Sequence, residues 1–417
     1  MKILFTSPII RHPPNGGPSL RIENSLKALS SVCELIIYAR CSLESLGGSE
    51  GLQFIRDLGQ EVVITKHANP SWKKHFGLRL INKIGSIFFG RRLISQDRIS
   101  FGKQISECLK LVQFHKPDVI WLGYGNLSYH LISPLKKRFD TPIIVDTDSV
   151  WSRFIFRCAK FSQDEKEKKG LLFDAKNKRI EERKGTRLAD VTLAPSKFDI
   201  DFYKEFASDK TILEVFPNVI DPHFYDTQEL ESDESLPAKF ISIVGTFGEP
   251  SAMLDGVNWF LKEVYPNLRL QCPDLVVVIA GRGSDKVRYA VSDKHIRILG
   301  EVKSISGILA KSVASIVPLR YESGTRFKIL EAGICKTAIV STVLGAEGIP
   351  IQHDIHAFIA DCPQNFSRAV EILWQNDSER KRISDALHKL VKDQFTVSVL
   401  RSRAEEILQK VKCIGST

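Results

Sequence analysis

The chain has 417 residues, of which 43% are hydrophobic and 26% are charged, as is usual for a globular protein. This length exceeds one ordinary hydrophobic core and suits two domains of about 200 residues each. No run of about 18 apolar residues occurs, which argues against a membrane-spanning helix, and the apolar run at residues 1–6 is too short for a signal peptide.

The formal net charge of +10 is concentrated in the first half of the chain. Residues 1–200 carry 33 Lys and Arg against 20 Asp and Glu, whereas residues 201–417 carry 26 against 29. The basic excess is either a solvated surface or a face for an anionic partner, such as a membrane leaflet, a lipid phosphate or nucleic acid.

The eight cysteines are scattered along the chain, and no two of them have C-x-x-C spacing. No cluster of histidines accompanies them. The sequence therefore predicts neither a structural zinc site nor a disulfide framework, and we expect a reducing, cytoplasmic location.

The chain begins with a predicted strand at residues 2–6, a glycine-rich loop and a helix, an order typical of a Rossmann-like half. The loop lacks the G-x-G-x-x-G pattern, which argues against a dinucleotide site. Gly16 and Gly17 form either a simple turn or the wall of a cleft where the backbone approaches a ligand closely.

Residues 72–93 combine aromatic and aliphatic side chains with Lys and Arg. A basic amphipathic helix in a membrane interface has this composition. The alternative is a core helix with a basic outer face, and three glycines weaken the prediction of one continuous helix.

A predicted strand at residues 142–146 is followed by two carboxylates, Asp146 and Asp148. Ligands bind at the carboxyl ends of strands in open α/β sheets. Both are therefore candidates for general base or electrostatic roles, while the alternative for Asp148 is a helix N-cap.

Residues 160–187 are predicted to form a charged, solvated helix, and the acidic segment 226–237 is typical of a connector. A second series of strands alternating with helices starts at residue 240. Strands that alternate with helices in both halves predict an α/β protein with two doubly wound sheets and a cleft between them.

The stretch at residues 321–333 follows the predicted strand 315–319 and consists of a tight turn and a predicted helix. Lys328 and Glu331 are three residues apart and hence neighbours on the helix surface. The N–H groups at a helix start attract phosphate, and the carboxylate of Glu331 can accept hydrogen bonds from ribose hydroxyls. The stretch therefore predicts a site for a phosphorylated nucleotide.

Several short motifs in the second half occur in a recognisable order. They are GTF at 245–247, AGRG at 280–283, LGEV at 299–302, VPLR at 317–320, SGTRFKILEA at 323–332 and STVLGAEG at 341–348. Together they resemble family 4 of the retaining GT-B glycosyltransferases, strongly over about residues 240–350 and only weakly in the first half.

The resemblance implies a GT-B fold and transfer of a sugar from a nucleotide diphosphate sugar, with retention of the anomeric configuration. It implies that a Rossmann-like domain at 1–210 binds a glycan or lipid-linked acceptor and that a second such domain at 211–394 binds the donor. A helix at about 395–417 is expected to pack back on the first domain. No metal and no cofactor are expected, and the implied role is polysaccharide or glycolipid synthesis, peripheral on the inner face of the membrane.

The family's E-x7-E motif ends at Glu331, which implies a contact between Glu331 and the donor ribose. Its first carboxylate falls on Ser323, with Glu322 beside it. Gly324 and Thr325 match the turn whose N–H groups hold the diphosphate.

The family's usual Arg and Lys pair is not evident after residue 245. Arg282, Arg326 and Lys328 are the candidates to stabilise the leaving diphosphate, and the alternative for each is an ordinary surface cation. Asp146 stands where the family often has a histidine. The resemblance implies front-face departure, in which the leaving phosphate oxygen helps to deprotonate the acceptor.

Two other functions remain open at this stage. One is a nucleotide-sugar epimerase of similar architecture, which needs no acceptor. The other is a non-catalytic anion- or nucleic-acid-binding protein, but motifs that read RNA are absent, so we expect no nucleic acid partner.

Overall fold

The computed structural model describes residues 1–66, 86–226, 236–248, 251–287 and 293–414. The chain divides into two compact units. The first comprises residues 1–218 and 397–417, and the second comprises residues 219–396.

The first unit is built on a parallel sheet of seven strands in the order β3-β2-β1-β4-β5-β6-β7. The central residues of the five inner strands are almost all apolar and buried, as expected of a parallel sheet covered by helices on both faces, whereas the edge strands β3 and β7 are half-buried. The strands are β1 (Lys2–Ser7), β2 (Glu34–Ala39), β3 (Glu61–Ile64), β4 (Val119–Gly123), β5 (Ile143–Asp146), β6 (Val191–Ala194) and β7 (Ile212–Val215).

Helices connect these strands. They are α1 (Gly17–Ser30), α2 (Leu43–Leu46), α3 (Gly48–Leu58), α4 (Ser86–His115), α5 (Tyr129–Lys136), α6 (Trp151–Phe161), α7 (Glu165–Leu188) and α8 (Lys197–Lys204).

The second unit has a parallel sheet of six strands in the order β10-β9-β8-β11-β12-β13. The strands are β8 (Ile241–Val244), β9 (Val277–Ala280), β10 (Ile296–Gly300), β11 (Ala314–Val317), β12 (Ala338–Ser341) and β13 (Phe358–Ile359). The helices are α9 (Pro222–Asp226), α10 (Ala252–Trp259), a π-helical turn (Phe260–Val264), α11 (Tyr265–Gln271), α12 (Ser306–Lys311), α13 (Phe327–Ile334), α14 (Pro363–Gln375) and α15 (Asp377–Gln394).

The last helix, α16 (Val397–Ile414), belongs to the first unit and packs on α1. Leu400, Ala404, Ile407 and Val411 follow the helical repeat and are buried. This stripe joins the end of the chain to the core of the first unit.

The strand order reverses once in each sheet, between β1 and β4 in the first and between β8 and β11 in the second. Ligands of open α/β sheets bind beside the carboxyl ends of the strands at such a reversal. The loops after these four strands therefore mark the candidate site of each unit.

The prediction of two doubly wound parallel sheets is confirmed. The predicted domain boundary at 210/211 differs from the observed division at 218/219, because β7 pairs with β6 in the first sheet. Of the segments predicted above, residues 72–85 and 227–235 lie outside the described residues. In the described part of the chain, we find no helix with the length and apolar content needed to cross a bilayer.

Candidate functional site

The loops after β8 and β9 approach each other closely in the second unit. Gly281 has φ +126°, and a Cβ atom there would lie 1.9 Å from the carbonyl oxygen of Gly245. Only glycine fits this contact. The main chain is therefore closely packed at the strand reversal.

The turn after β11 leads directly into α13. Gly324 has φ +79°, in the left-handed region that glycine adopts without strain. Arg326 occupies the N-cap position, and no side chain caps the helix. The first N–H groups of α13 are thus suited to an anion.

Arg326 holds the turn in place. Its side chain is buried, donating to the carbonyl oxygen of Gly324 and, over 3.2 Å, to that of Leu344. Arg326 is one of three sequence candidates for the diphosphate, with a surface cation as the alternative, but it is buried and two of its nitrogens donate to the backbone. Arg282 is exposed on the loop after β9, where its carbonyl oxygen accepts the N–H of Phe247 at 2.8 Å.

Lys328 and Glu331 lie on α13 in a protected environment. Burial lowers the pKa of Lys328 and raises the pKa of Glu331, and the attraction between the two opposes both shifts. The Tyr225 hydroxyl on α9 donates a hydrogen bond of 3.1 Å to Oε1 of Glu331. A cation and a carboxylate therefore lie about one helical turn apart on α13, beside the turn at Gly324.

Glu322 and Ser323 are both half-buried at the start of the turn. Oε1 of Glu322 accepts the backbone N–H of Ser323 at 3.1 Å. Thr325 is buried beside them. The carboxylate of Glu322, which precedes the motif position Ser323, is therefore directed at the backbone of the turn.

Asp146 ends β5 in the first unit and is fully buried. It forms an ion pair with Arg21 of α1, with Nη2 at 2.5 Å from Oδ1. Arg21 also donates to the Asn218 side chain at 2.7 Å and to the Phe216 carbonyl at 3.0 Å. Burial raises the pKa of Asp146 and the guanidinium opposes that shift. Its carboxylate is thus engaged within the protein.

Asp148 is half-buried two residues further along. Its Oδ1 accepts hydrogen bonds from Asn126 at 2.9 Å and from the Trp151 indole at 3.1 Å. Burial is the main cause that raises its pKa, and the bond from Asn126 opposes the shift. Helix α6 has Val150 at its N-cap, so the alternative role of Asp148 as N-cap is wrong.

Tyr124 stands beside Asp148 with its ring in T-shaped contact with Trp151, at a centroid distance of 5.8 Å. It follows β4 with φ +57°, which is unusual for a residue with a side chain. Such backbone strain is concentrated at functional sites. Two aromatic rings and a carboxylate therefore meet at the strand ends of the first unit.

Gly16 and Gly17 follow β1 at the reversal of the first sheet. Gly16 is the N-cap of α1 with φ +152°, and a Cβ atom there would have no neighbour within 4 Å. The loop is therefore open at this position, and the conformation, rather than a close contact, calls for glycine.

Patterns in the sequence did not indicate Arg21, Tyr225, Asn126 or the Tyr124–Trp151 pair. Arg21 lies between Leu20 and Ile22 in the apolar pattern of the helix. This position was the one signal in the sequence that its guanidinium is buried. The other contacts join residues that are far apart in the sequence.

Residues 238–376 match the family model of glycosyl transferases group 1. An uncharacterised 44.6 kDa protein in the cps region of Klebsiella pneumoniae is 24% identical over 186 residues, which are 42% of this chain and 46% of the relative. The match thus spans about half of that relative.

Three solved structures resemble nearly the whole chain. Sucrose-phosphate synthase from Thermosynechococcus elongatus has a TM-score of 0.71 at 11% identity, covering 99% of both chains. Anabaena HepE in complex with UDP-glucose has a TM-score of 0.65 at 13% identity, covering 98% of this chain and 100% of the other. A UDP-forming trehalose-phosphate synthase from Burkholderia xenovorans has a TM-score of 0.62 at 13% identity, covering 99% of both.

These likenesses extend over both units, whereas the family match falls on the second. The fold is the GT-B fold, and the second unit of this chain is similar to the group 1 glycosyltransferases over residues 238–376.

Proposed function

We propose that this protein is a retaining glycosyltransferase that moves a sugar from a nucleotide diphosphate sugar to a glycan or lipid-linked acceptor. The observation that carries the proposal is the turn at Gly324 followed by Lys328 and Glu331 on α13, at the strand reversal of the group 1 domain. HepE, which shares the fold, was solved with UDP-glucose.

In this proposal Glu331 accepts hydrogen bonds from the ribose hydroxyls. Gly324, Thr325 and the first turn of α13 donate N–H groups to the diphosphate. Lys328 supplies the positive charge, since its burial makes a nearby anion especially favourable. The proposal assigns Ser323 and Glu322 to the hydroxyls of the donor sugar.

Of the other two cations named as candidates for the diphosphate, Arg326 receives a different role and Arg282 keeps its role. Arg326 keeps the turn in its phosphate-binding shape through the Gly324 and Leu344 carbonyl groups. Arg282 is exposed and is the cation that can swing toward a bound diphosphate. We expect protein groups to stabilise the leaving diphosphate without a metal, and activity should persist in excess EDTA.

Asp148 is the candidate to orient the acceptor hydroxyl. Asn126 and Trp151 fix its carboxylate, and the raised pKa suits a group that exchanges a proton. The rings of Tyr124 and Trp151 beside it suit the apolar face of a sugar. Asp146, held by Arg21, positions the end of β5.

Cell-surface polysaccharide synthesis is the proposed setting. The relative from the cps region of Klebsiella pneumoniae supports it. The choice of a UDP-sugar as first donor to test is supported by HepE and by the UDP-forming synthase.

The test is a transfer assay with UDP-, GDP-, ADP- and CMP-sugars, with and without a mixture of lipid-linked glycans. We expect release of a nucleoside diphosphate to accelerate when the acceptor is added, and NMR of the product's anomeric centre to show the donor's configuration. CMP-sugars, which lack the diphosphate, serve as controls. Interconversion of free sugar nucleotides without acceptor would identify an epimerase instead.

A further inference from the structure

The outer side of α7 is solvated, as its charged composition predicts, but it also carries two large apolar side chains. Phe173 and Ile180 on this side are 66% and 67% exposed. They are seven residues apart, so they lie on one side of the helix. The opposite side is buried through Leu171, Ala175 and Glu182.

Lysines surround these two apolar residues. At about 100° per residue, the side chains within about 60° of Phe173 include Lys166, Lys169, Lys176 and Lys184 and no acidic residue. We call Lys166, Lys169, Phe173, Lys176, Ile180 and Lys184 the basic apolar face. It runs along most of a helix of 24 residues, which is about 36 Å long.

The positive charge on this face is not neutralised locally. Lys168 and Lys178, which point away from it, pair with Glu165 and Glu181 on the same helix. Among the described residues, Lys169, Lys176 and Lys184 form no such salt bridge. A partner with dense negative charge is therefore electrostatically complementary to the face.

We propose that the basic apolar face of α7 docks the protein on an anionic phospholipid bilayer. Phe173 and Ile180 enter the boundary between headgroups and acyl chains, and the lysines extend to the lipid phosphates. A nucleic acid would satisfy the lysines but would leave the two apolar side chains in water. The proposal concerns residues outside the candidate sites and does not depend on the proposed sugar transfer.

The test is flotation of the full chain with vesicles of phosphatidylcholine alone or with about 30% phosphatidylglycerol. We expect binding only to the anionic vesicles, because each lysine near such a surface contributes about a fivefold gain in partitioning. Replacing Lys166, Lys169, Lys176 and Lys184 by Gln should lower partitioning by more than tenfold.

A control variant changes the net charge equally elsewhere. Lys381, Lys389, Lys392 and Lys412 are exposed on α15 and α16, and their replacement by Gln should leave vesicle binding within about twofold of the wild type. Equal loss in both variants would overturn the proposal, because it would show an effect of net charge alone. Unchanged binding of the α7 variant would overturn it too.

A second measurement isolates the apolar contribution. In a variant with Phe173→Trp, the emission should shift to shorter wavelength with anionic vesicles and be quenched by brominated acyl chains. Phe173→Ser with Ile180→Ser should weaken flotation at constant charge. If these two variants bind vesicles as the wild type does, or if the lysine variant loses affinity for RNA but not for vesicles, the proposal is wrong.

Discussion

At the residue scale, the candidate donor site depends on the protonation of a buried carboxylate. Glu331 has a raised pKa because burial disfavours its charge, while the Tyr225 hydroxyl and Lys328 favour the charged form. The ionised carboxylate accepts hydrogen bonds through both oxygens, whereas the protonated form turns one oxygen into an O–H donor and is the weaker acceptor for two ribose hydroxyls. Donor binding and the ionisation of Glu331 are therefore coupled.

We predict that affinity for the nucleotide diphosphate sugar rises as the pH rises through the raised pKa of Glu331. Glu331→Gln should abolish this rise. Tyr225→Phe removes a hydrogen bond that lowers this pKa, so the rise should move to higher pH. Calorimetric titration of the donor between pH 5 and about pH 9 measures the profiles, and an unshifted profile in Tyr225→Phe would contradict the prediction.

Asp148 gives a separate prediction for the first unit. Asp148→Asn keeps the shape of the side chain and removes its basicity, so acceptor-dependent turnover should fall by about 10²- to 10⁴-fold. Donor affinity should stay unchanged, because the donor groups lie in the second unit. The comparison of turnover and donor binding in one variant checks this, and a parallel loss of both would count against the assigned role.

The residues of the candidate donor site could be predicted where their spacing is local. Gly324, Lys328 and Glu331 lie within eight consecutive residues, so turn chemistry and helix periodicity place them together. The partner of Glu331 could not be predicted, because Tyr225 is 106 residues away. Nor does a sequence show that Arg326 turns back to the Gly324 carbonyl group.

At the element scale, one buried guanidinium joins three parts of the first unit. Arg21 of α1 contacts Asp146 at the end of β5 and the Phe216 and Asn218 positions after β7. The ring of Phe216 lies 5.8 Å from the guanidinium carbon. This network holds the end of β5, and Asp148 follows that end by two residues.

Removing one partner of this ion pair should destabilise the first unit strongly. We expect Arg21→Ala to lower the free energy of unfolding by about 3–5 kcal/mol, because Asp146 is left buried without a counter-charge. Adding Asp146→Ala should restore part of the loss. Urea denaturation measures both.

Arg179→Ala is the matched control for this pair. Arg179 forms an exposed pair with Glu205, and its loss should cost at most about 1 kcal/mol. Additive effects of Arg21→Ala and Asp146→Ala would argue against coupling between the two residues.

Most strands could be predicted because a strand buried on both faces is an uninterrupted apolar run, as in β2 and β9. Helix α7 shows the limit of such patterns. Its composition predicts a solvated helix, and the exposure of Phe173 and Ile180 follows only from which side packs against the unit. The number of charged residues in a helix does not show which side of the helix its apolar side chains occupy.

At the scale of the whole molecule, α16 returns the chain to the first unit. Its buried stripe packs on α1, the helix that carries Arg21. The observed division at residue 218 could not be located from composition, because β7 belongs to the first unit through its pairing with β6, which lies about 20 residues earlier in the chain.

We predict that Leu400→Ala and Ile407→Ala each destabilise the first unit by about 2–5 kcal/mol. Hydrogen exchange should accelerate in β1, β4 and β5 and stay unchanged in β8, β9 and β11. Arg403 is exposed on the same helix, and Arg403→Ala should change neither the stability of the first unit nor the hydrogen exchange of these strands. Equal acceleration in both sheets would contradict the assignment of α16 to the first unit alone.

The most direct measurement is the thermal stability of the wild type and of Glu331→Gln with a panel of nucleotide sugars. One nucleotide diphosphate sugar at 100 times its dissociation constant should stabilise the wild type by about 2.7 kcal/mol. Glu331→Gln should weaken its affinity by about 10- to 150-fold, as expected for hydrogen bonds to a charged group, while Glu263→Gln, exposed in the same unit, should leave it intact. Stabilisation by none of the sugars, or equal stabilisation of Glu331→Gln, would contradict a donor site at this helix.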